Sequence, residues 1–357
     1  MTLSEPGTAG RPSRQRPRAV RGLVGRILQV REIGLVLILL LLCAIVTARA
    51  PRFLEGPNLQ QVALSATLVC IVALGEALVI IARQIDLSVG AIVALSAFLA
   101  AAWLEHHHDG SLFVVFLIGC GVGTLLGAGN ALLVAAARIP AIVATLGTLA
   151  IYRGLAIVLA EGRQISATVL PVSYQEVAQA RVAGGPLLVW IAMLLTVCFG
   201  WIARSTRFGR NLYALGSSPE SARFAGISDV RNIAGVFILS GFLCGLVGVL
   251  WGARFGTVDA VIARDLHFQV ISAVVVGGVS IFGGSGSVYG AALGAVIFAV
   301  LQNGMLLLGI NQFWLEAALG VAILGAVTFY VFLARRAERE SRRQAMLARG
   351  ASLAADR

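Results

Sequence analysis

The stretch QVALSATLVCIVALGEALVIIARQIDLSVGAIVALSAFLAAAWL, residues 61–104, decides the fold. From Gln61 to Ala82 its only charge is Glu76, and from Val89 to Leu104 it has none. An α-helix rises 1.5 Å per residue, so about 20 apolar residues cross the ~30 Å hydrocarbon core of a bilayer. Each flank therefore reads as a membrane span. Between them RQIDLSVGA (83–91) carries an arginine and an aspartate. They are either a turn between two spans or the lining of something.

The rest of the chain agrees with that reading. Of its 357 residues, 58% are hydrophobic and 13% charged, with a mean hydropathy of +0.89. Soluble domains carry about 25% charged residues, so this chain could not cover a globule with polar surface. Apolar runs of spanning length lie near 33–49, 62–82, 87–104, 112–137, 140–160, 186–203, 232–253, 288–309 and 314–333. A shorter run, 269–282, makes ten, and its length leaves a re-entrant or tilted path open. The expected fold is all-α, a polytopic bundle of about ten spans.

Arginine placement orients it. The net charge is +11 and no lysine occurs anywhere. The arginines cluster at 11–31, at 335–349 and in the central segment 204–231, between apolar runs. Such clusters mark cytoplasmic flanks of spans and argue against nucleic-acid binding. Both termini are expected in the cytoplasm, which demands an even number of spans. Ten spans put EHHHDG (105–110), the loop 161–185 and the loop 254–267 outside, and 204–231 inside. The organisation is then a basic tail (1–32), a transmembrane domain (33–333) and a second basic tail (334–357). TARAP (47–51) has the look of a cleavage site, but the long arginine-rich lead and the later spans favour an uncleaved first helix.

Several chemistries are excluded or disfavoured. A phosphate-binding G-x-x-x-x-G-K-[ST] loop needs a lysine, so this chain is not itself an ATPase of that type. The five cysteines sit inside apolar runs without C-x-x-C spacing, which fits small buried hydrophobes and no disulfide or metal set. Three consecutive histidines, His106 to His108, cannot all face one ion, so EHHHDG reads as an exposed loop. No catalytic residues and no metal site are expected. Glycine rows at 119, 123 and 127 and at 241 and 245 let helices approach closely, which is a packing signal.

Polar residues inside spans cost about 2.5–3.5 kcal/mol each when charged, so each should face the bundle interior. Glu76 reads either as a partner for a neighbouring helix or as a lining of the translocation path. Arg153 either snorkels outward or pairs with Glu76. Thr145 and Thr148 share a helix face with Tyr152. Asn130, Gln302 and Asn303 are further neutral polar side chains inside apolar runs, and they are candidates for lining the sugar path that the resemblance described below implies. In the turn, Asp86 is placed to cap the third helix through the amide of Ser88 or Val89, and Arg83 suits the negative end of the preceding helix. A turn at the cytoplasmic end is favoured over a gating pair.

In the central segment, SPESARFAG (217–226 with its flanking serine) reads as a short helix. Ser218 caps it, Pro219 starts it, Glu220 lies in its first turn and Gly226 stops it. Its small residues Ala222 and Ala225 suit a groove on another protein; a surface linker with one helical turn is the other reading.

The ordered motifs IDLSVGA (85–91), RIPAIVATLGTLAIYRGLA (138–156), FGRNLYALGSSPESARFAGI (208–227) and ISAVVVGGVSIFGGSGSVYGAALGA (271–295) resemble the monosaccharide permeases of bacterial ABC importers. These are the membrane subunits for ribose, xylose, rhamnose and the sugar-like signal autoinducer-2. The resemblance runs over about 35–333 and leans toward the autoinducer-2 and rhamnose branches. It implies an inner-membrane transport subunit that binds no cofactor, with ATP and Mg on separate cytoplasmic ATPase subunits. It also implies a periplasmic or lipid-anchored sugar-binding protein and a second permease, the same chain or another. Glu220, Ala222, Arg223 and Gly226 would then meet the ATPase. Two rivals stay open: a branched-chain amino acid permease of the same architecture, and an ion-coupled secondary transporter using Glu76.

Overall fold

The computed structural model describes residues 31–311 without interruption and isolated positions between 313 and 328. In chain order the helices are α1 (Arg31–Arg49), α2 (Gly56–Ile81), α3 (Val89–His106), α4 (Leu112–Ala131), α5 (Ala141–Ala160), α6 (Val172–Gln179) and α7 (Leu187–Ser205). They continue with α8 (Arg207–Ser217), α9 (Pro219–Phe224), α10 (Asp229–Phe255), α11 (Leu266–Val276) and α12 (Val288–Leu307). A π-helical turn, Leu132–Ala136, extends α4. Among the described residues, eight helices are long and apolar enough to cross a membrane: α1 to α5, α7, α10 and α12. The chain is a polytopic helical bundle.

Eight of the ten apolar runs are thus spanning helices. The run 269–282 is not one. Its helix α11 has 11 residues, about 16 Å of rise against a ~30 Å core. Beyond it the chain needs left-handed backbone at Gly278, Gly283, Gly284 and Gly286, which no helix continues through. The run 314–333 and both basic tails lie outside the continuously described residues.

Helix α10 is the hub, packed on α2, α3 and α4. Its seam with α4 is built from the two glycine rows: a methyl group added at Gly123 would sit 2.6 Å from the Gly245 amide nitrogen. Backbones that close give van der Waals contact along the helices, the packing source that remains where lipid competes with every apolar side chain. On one face of the bundle, here termed the basic face, lie Arg204, Arg207 and Arg210 with α8 and α9. The far face carries α6 and a two-strand ladder, β1 (Arg181–Val182) against β2 (Gly185–Pro186). There Tyr174 is fully buried and its hydroxyl donates to the Val249 carbonyl at 2.6 Å.

The segment after α2 is more than a tight turn at a membrane surface. Helix α2 ends at Ile81 in a Schellman motif: the Arg83 amide donates to Ile80 O (2.8 Å) and the Gln84 amide to Val79 O (3.0 Å). Arg83 takes the left-handed conformation, φ 64°. It stands beyond the helix rather than in its last turn. The chain then runs back alongside α2, and the Asp86 amide donates to Glu76 Oε1 at 3.1 Å. Glu76 is five residues before Ile81, about 7.5 Å up the helix. Helix α3 therefore starts inside the bundle. A second irregular stretch, 256–265, enters from the far face and precedes the short helix α11. Two helices that begin within the bundle, each after irregular backbone, are the arrangement membrane transporters use at internal sites.

Candidate functional site

The re-entrant segment is held by a buried polar knot. Glu76, Asp86, Ser88, Asn130 and Thr145 have no exposed surface, and Thr148 is 3% exposed. Asp86 Oδ1 accepts from the Ser88 amide (2.9 Å) and the Ser88 hydroxyl (2.6 Å). Asn130, on α4, donates to Ser88 Oγ at 2.7 Å and to both Asp86 oxygens at 3.4 Å. Thr145, on α5, donates to the Ile85 carbonyl at 3.2 Å and to Ala141 at 2.8 Å. The Tyr152 hydroxyl donates to Leu126 O at 2.9 Å and lies 3.4 Å from Asn130 Oδ1.

Irregular backbone at membrane depth persists only where protein groups satisfy it, and these side chains do so. Asp86 bonds the Ser88 amide from two residues upstream, an Asx turn just before α3, while Ser88 occupies the cap position itself. Residues expected in a path (Glu76, Asn130, Thr145, Thr148) and in a turn (Asp86, Ser88) thus form one cluster. Arg83, exposed on the basic face, stays outside it. Glu76 Oε2 is the knot's one side-chain atom without a hydrogen-bond partner.

Arg153 does not pair with Glu76. It donates to the carbonyls of Ala260 and Ile262 at 2.9 Å each and of Ala263 at 3.5 Å. The reason is the same rule of satisfaction. The stretch 256–265 leaves carbonyls without helical partners, and one planar guanidinium serves three of them.

Gln302 and Asn303 do not join the knot. Asn303 and Asn58 exchange side-chain hydrogen bonds of 2.8 and 3.0 Å, tying α12 to the start of α2. Asn58 is 18 residues from Glu76 along α2, about 27 Å away. The cysteines are free, and no group of three or more metal-ligating side chains occurs among the described residues.

On the basic face, Thr206 caps α8 by accepting from the Gly209 amide (3.1 Å) and Ser218 caps α9 by accepting from the Ser221 amide (3.4 Å). Gly226 ends the turn at φ 77°. Ala222 faces inward at 4% exposure, so it packs on the chain itself and offers no surface to another protein. Arg223 folds onto Asp229 at the start of α10, 2.7 Å away. Glu220 and Gly226 face solvent. Beside them Phe224 is 93% exposed. Sequence reasoning passed over it because its helical position is set by where α9 ends.

Residues 58–332 match the family described as branched-chain amino acid transport system / permease component. The autoinducer 2 import system permease protein LsrC of Klebsiella pneumoniae subsp. pneumoniae is 32% identical over 301 residues, 84% of this chain and 86% of its own. The protein of the same name from Escherichia coli (strain K12 / DH10B) is 33% identical over 316 residues, 88% and 91% of the two chains. That from Salmonella typhi is 32% identical over 314 residues, 88% and 89%. No solved structure matches. With the polytopic bundle and its broken helices, these matches place the chain in the permease family of ABC import systems, as a multi-pass inner-membrane protein.

Proposed function

We propose that this permease moves a monosaccharide-like polyol, of the chemical class of autoinducer 2, inward across the membrane. The observation that carries the reading is identity of 32–33% to autoinducer 2 import permeases along more than four-fifths of both chains. The knot supports it chemically. Its buried side chains are hydroxyl, amide and carboxyl groups, the kind that suit a neutral polyhydroxylated solute, and among the described residues no basic side chain is hydrogen-bonded to Glu76 or Asp86. In this reading Glu76, Asn130, Thr145 and Thr148 border the path and Asp86 and Ser88 fix the segment that gates it. Gln302 and Asn303 serve its far-face end.

The basic face is cytoplasmic by arginine placement. There Glu220, Phe224 and Gly226 meet a separate ATPase subunit that holds ATP and Mg, while Arg223 and Ala222 keep α9 rigid from within. The chain itself performs no covalent chemistry. The far-face segments 161–186 and 256–265 receive a binding protein, and a second permease completes the membrane unit. The substrate is tested by calorimetric titration of the partner binding protein with autoinducer 2, rhamnose, ribose, xylose and leucine. Binding of a sugar-like ligand supports the proposal. Binding of leucine alone favours the amino acid reading that the family's description suggests.

A further inference from the structure

The re-entrant segment reaches toward both faces through main-chain contacts. At its far end a methyl group added at Gly90 would sit 2.5 Å from the Ala263 carbonyl oxygen. Ala263 belongs to the stretch that Arg153 grips. That stretch is joined to the far-face loop by paired main-chain bonds between Ile165 and Val258, 2.9 Å in each direction.

At the other end the Ile81 carbonyl accepts from the Gly284 amide at 2.9 Å. A methyl group on Gly283 would lie 3.0 Å from Arg83 Cα, and one on Gly216 would overlap the Ile81 carbonyl and the Gly284 amide. Ser217 Oγ donates to Gly284 O at 3.3 Å, and the Tyr213 hydroxyl to Gly286 O at 3.0 Å. Ser218, the next residue, caps α9. The Tyr213 and Ser217 hydrogen bonds hold the glycine loop against α8, and main chain so clasped against main chain cannot absorb a shift by changing rotamer, so displacement of one segment moves the next.

We propose that residues 82–90 are a strut that couples the far-face loops to α9, so that docking outside is felt at the ATPase inside. Between its two ends the strut is held in place by the knot: Glu76 on its Asp86 amide, Thr145 on its Ile85 carbonyl and Asn130 on its Ser88 hydroxyl. This inference rests on the importer reading above.

The test uses the whole complex in proteoliposomes, with its ATPase and its binding protein loaded with the titrated sugar it holds. Two variants are compared with the parent. Tyr213→Phe/Ser217→Ala adds no atoms and removes both side-chain clasps at the basic-face junction. Gly90→Ala strains the far-face junction. Both are expected to assemble and to keep basal ATP hydrolysis, while stimulation of hydrolysis by the loaded binding protein falls at least fivefold. Parent-like stimulation in both overturns the strut. Should Gly90→Ala fail to assemble, the double variant alone decides. A parent complex that hydrolyses no ATP defeats the importer reading and the strut with it; a coupled parent with coupled variants defeats the strut alone.

Discussion

The Asp86 amide donates to the Glu76 side chain at 3.1 Å, across a chain reversal of ten residues. This single bond makes the strongly apolar α2 and the polar turn after it one structural unit. In it the Glu76 side chain serves a main-chain donor that lipid would leave orphaned.

Asp86→Asn keeps an oxygen to accept from the Ser88 amide and hydroxyl, now at 2.9 and 2.6 Å. Most transport should survive. Asp86→Leu leaves both donors buried and unmet, a cost of about 1–3 kcal/mol for each such group. That variant should lower thermal stability in detergent and transport together. Loss of transport in Asp86→Asn with an assembled complex would show that its charge takes part in gating.

Glu76→Gln likewise retains an acceptor for the Asp86 amide. ATP-driven uptake should stay within a few-fold of the parent, measured at several external pH values. An assembled complex that has lost uptake would favour the ion-coupled reading.

Arg153→Met removes bonds to Ala260, Ile262 and Ala263 and leaves their carbonyls to find other partners. A loss of about 2–3 kcal/mol in stability is expected. Proteolysis within 256–265 should accelerate, read by mass spectrometry of the cleavage products. Glu76→Gln combined with Arg153→Met should also be additive in stability, since the two side chains have no partner in common.

Phe224 is 93% exposed, so Phe224→Ala should leave the fold and its melting temperature unchanged. If the ring enters a partner's pocket, its loss removes about 1.5–3 kcal/mol of burial. The ATPase should then bind roughly tenfold or more weakly, by surface immobilisation of the detergent-solubilised permease.

The spanning helices were legible because hydrocarbon tolerates only long apolar runs with satisfied backbones, a signal carried by composition alone. Helix α9 was legible from Ser218, Pro219 and Gly226, whose chemistry fixes a start and a stop. The knot was half legible. Its members stood out as polar residues in apolar surroundings, but no spacing rule links position 76 to 86 or 130. Their meeting depends on Arg83 adopting a left-handed conformation that arginine seldom takes. The pairing expected for Arg153 failed for a related reason: charge opposite charge is visible in a sequence, whereas three unpaired carbonyls in a loop are not. Ala222, expected at another protein's groove, is buried instead, because the burial of a six-residue helix is set by what it packs on.

The central claim is that this chain imports a sugar-like solute under ATP drive. Uptake of the radiolabelled ligand identified on the binding protein, into proteoliposomes holding the full complex, tests it most directly. The account predicts uptake that requires ATP on the ATPase side and the binding protein on the other, and that persists with a protonophore present. Uptake by the permease alone, driven by an ion gradient and abolished by the protonophore, would contradict it.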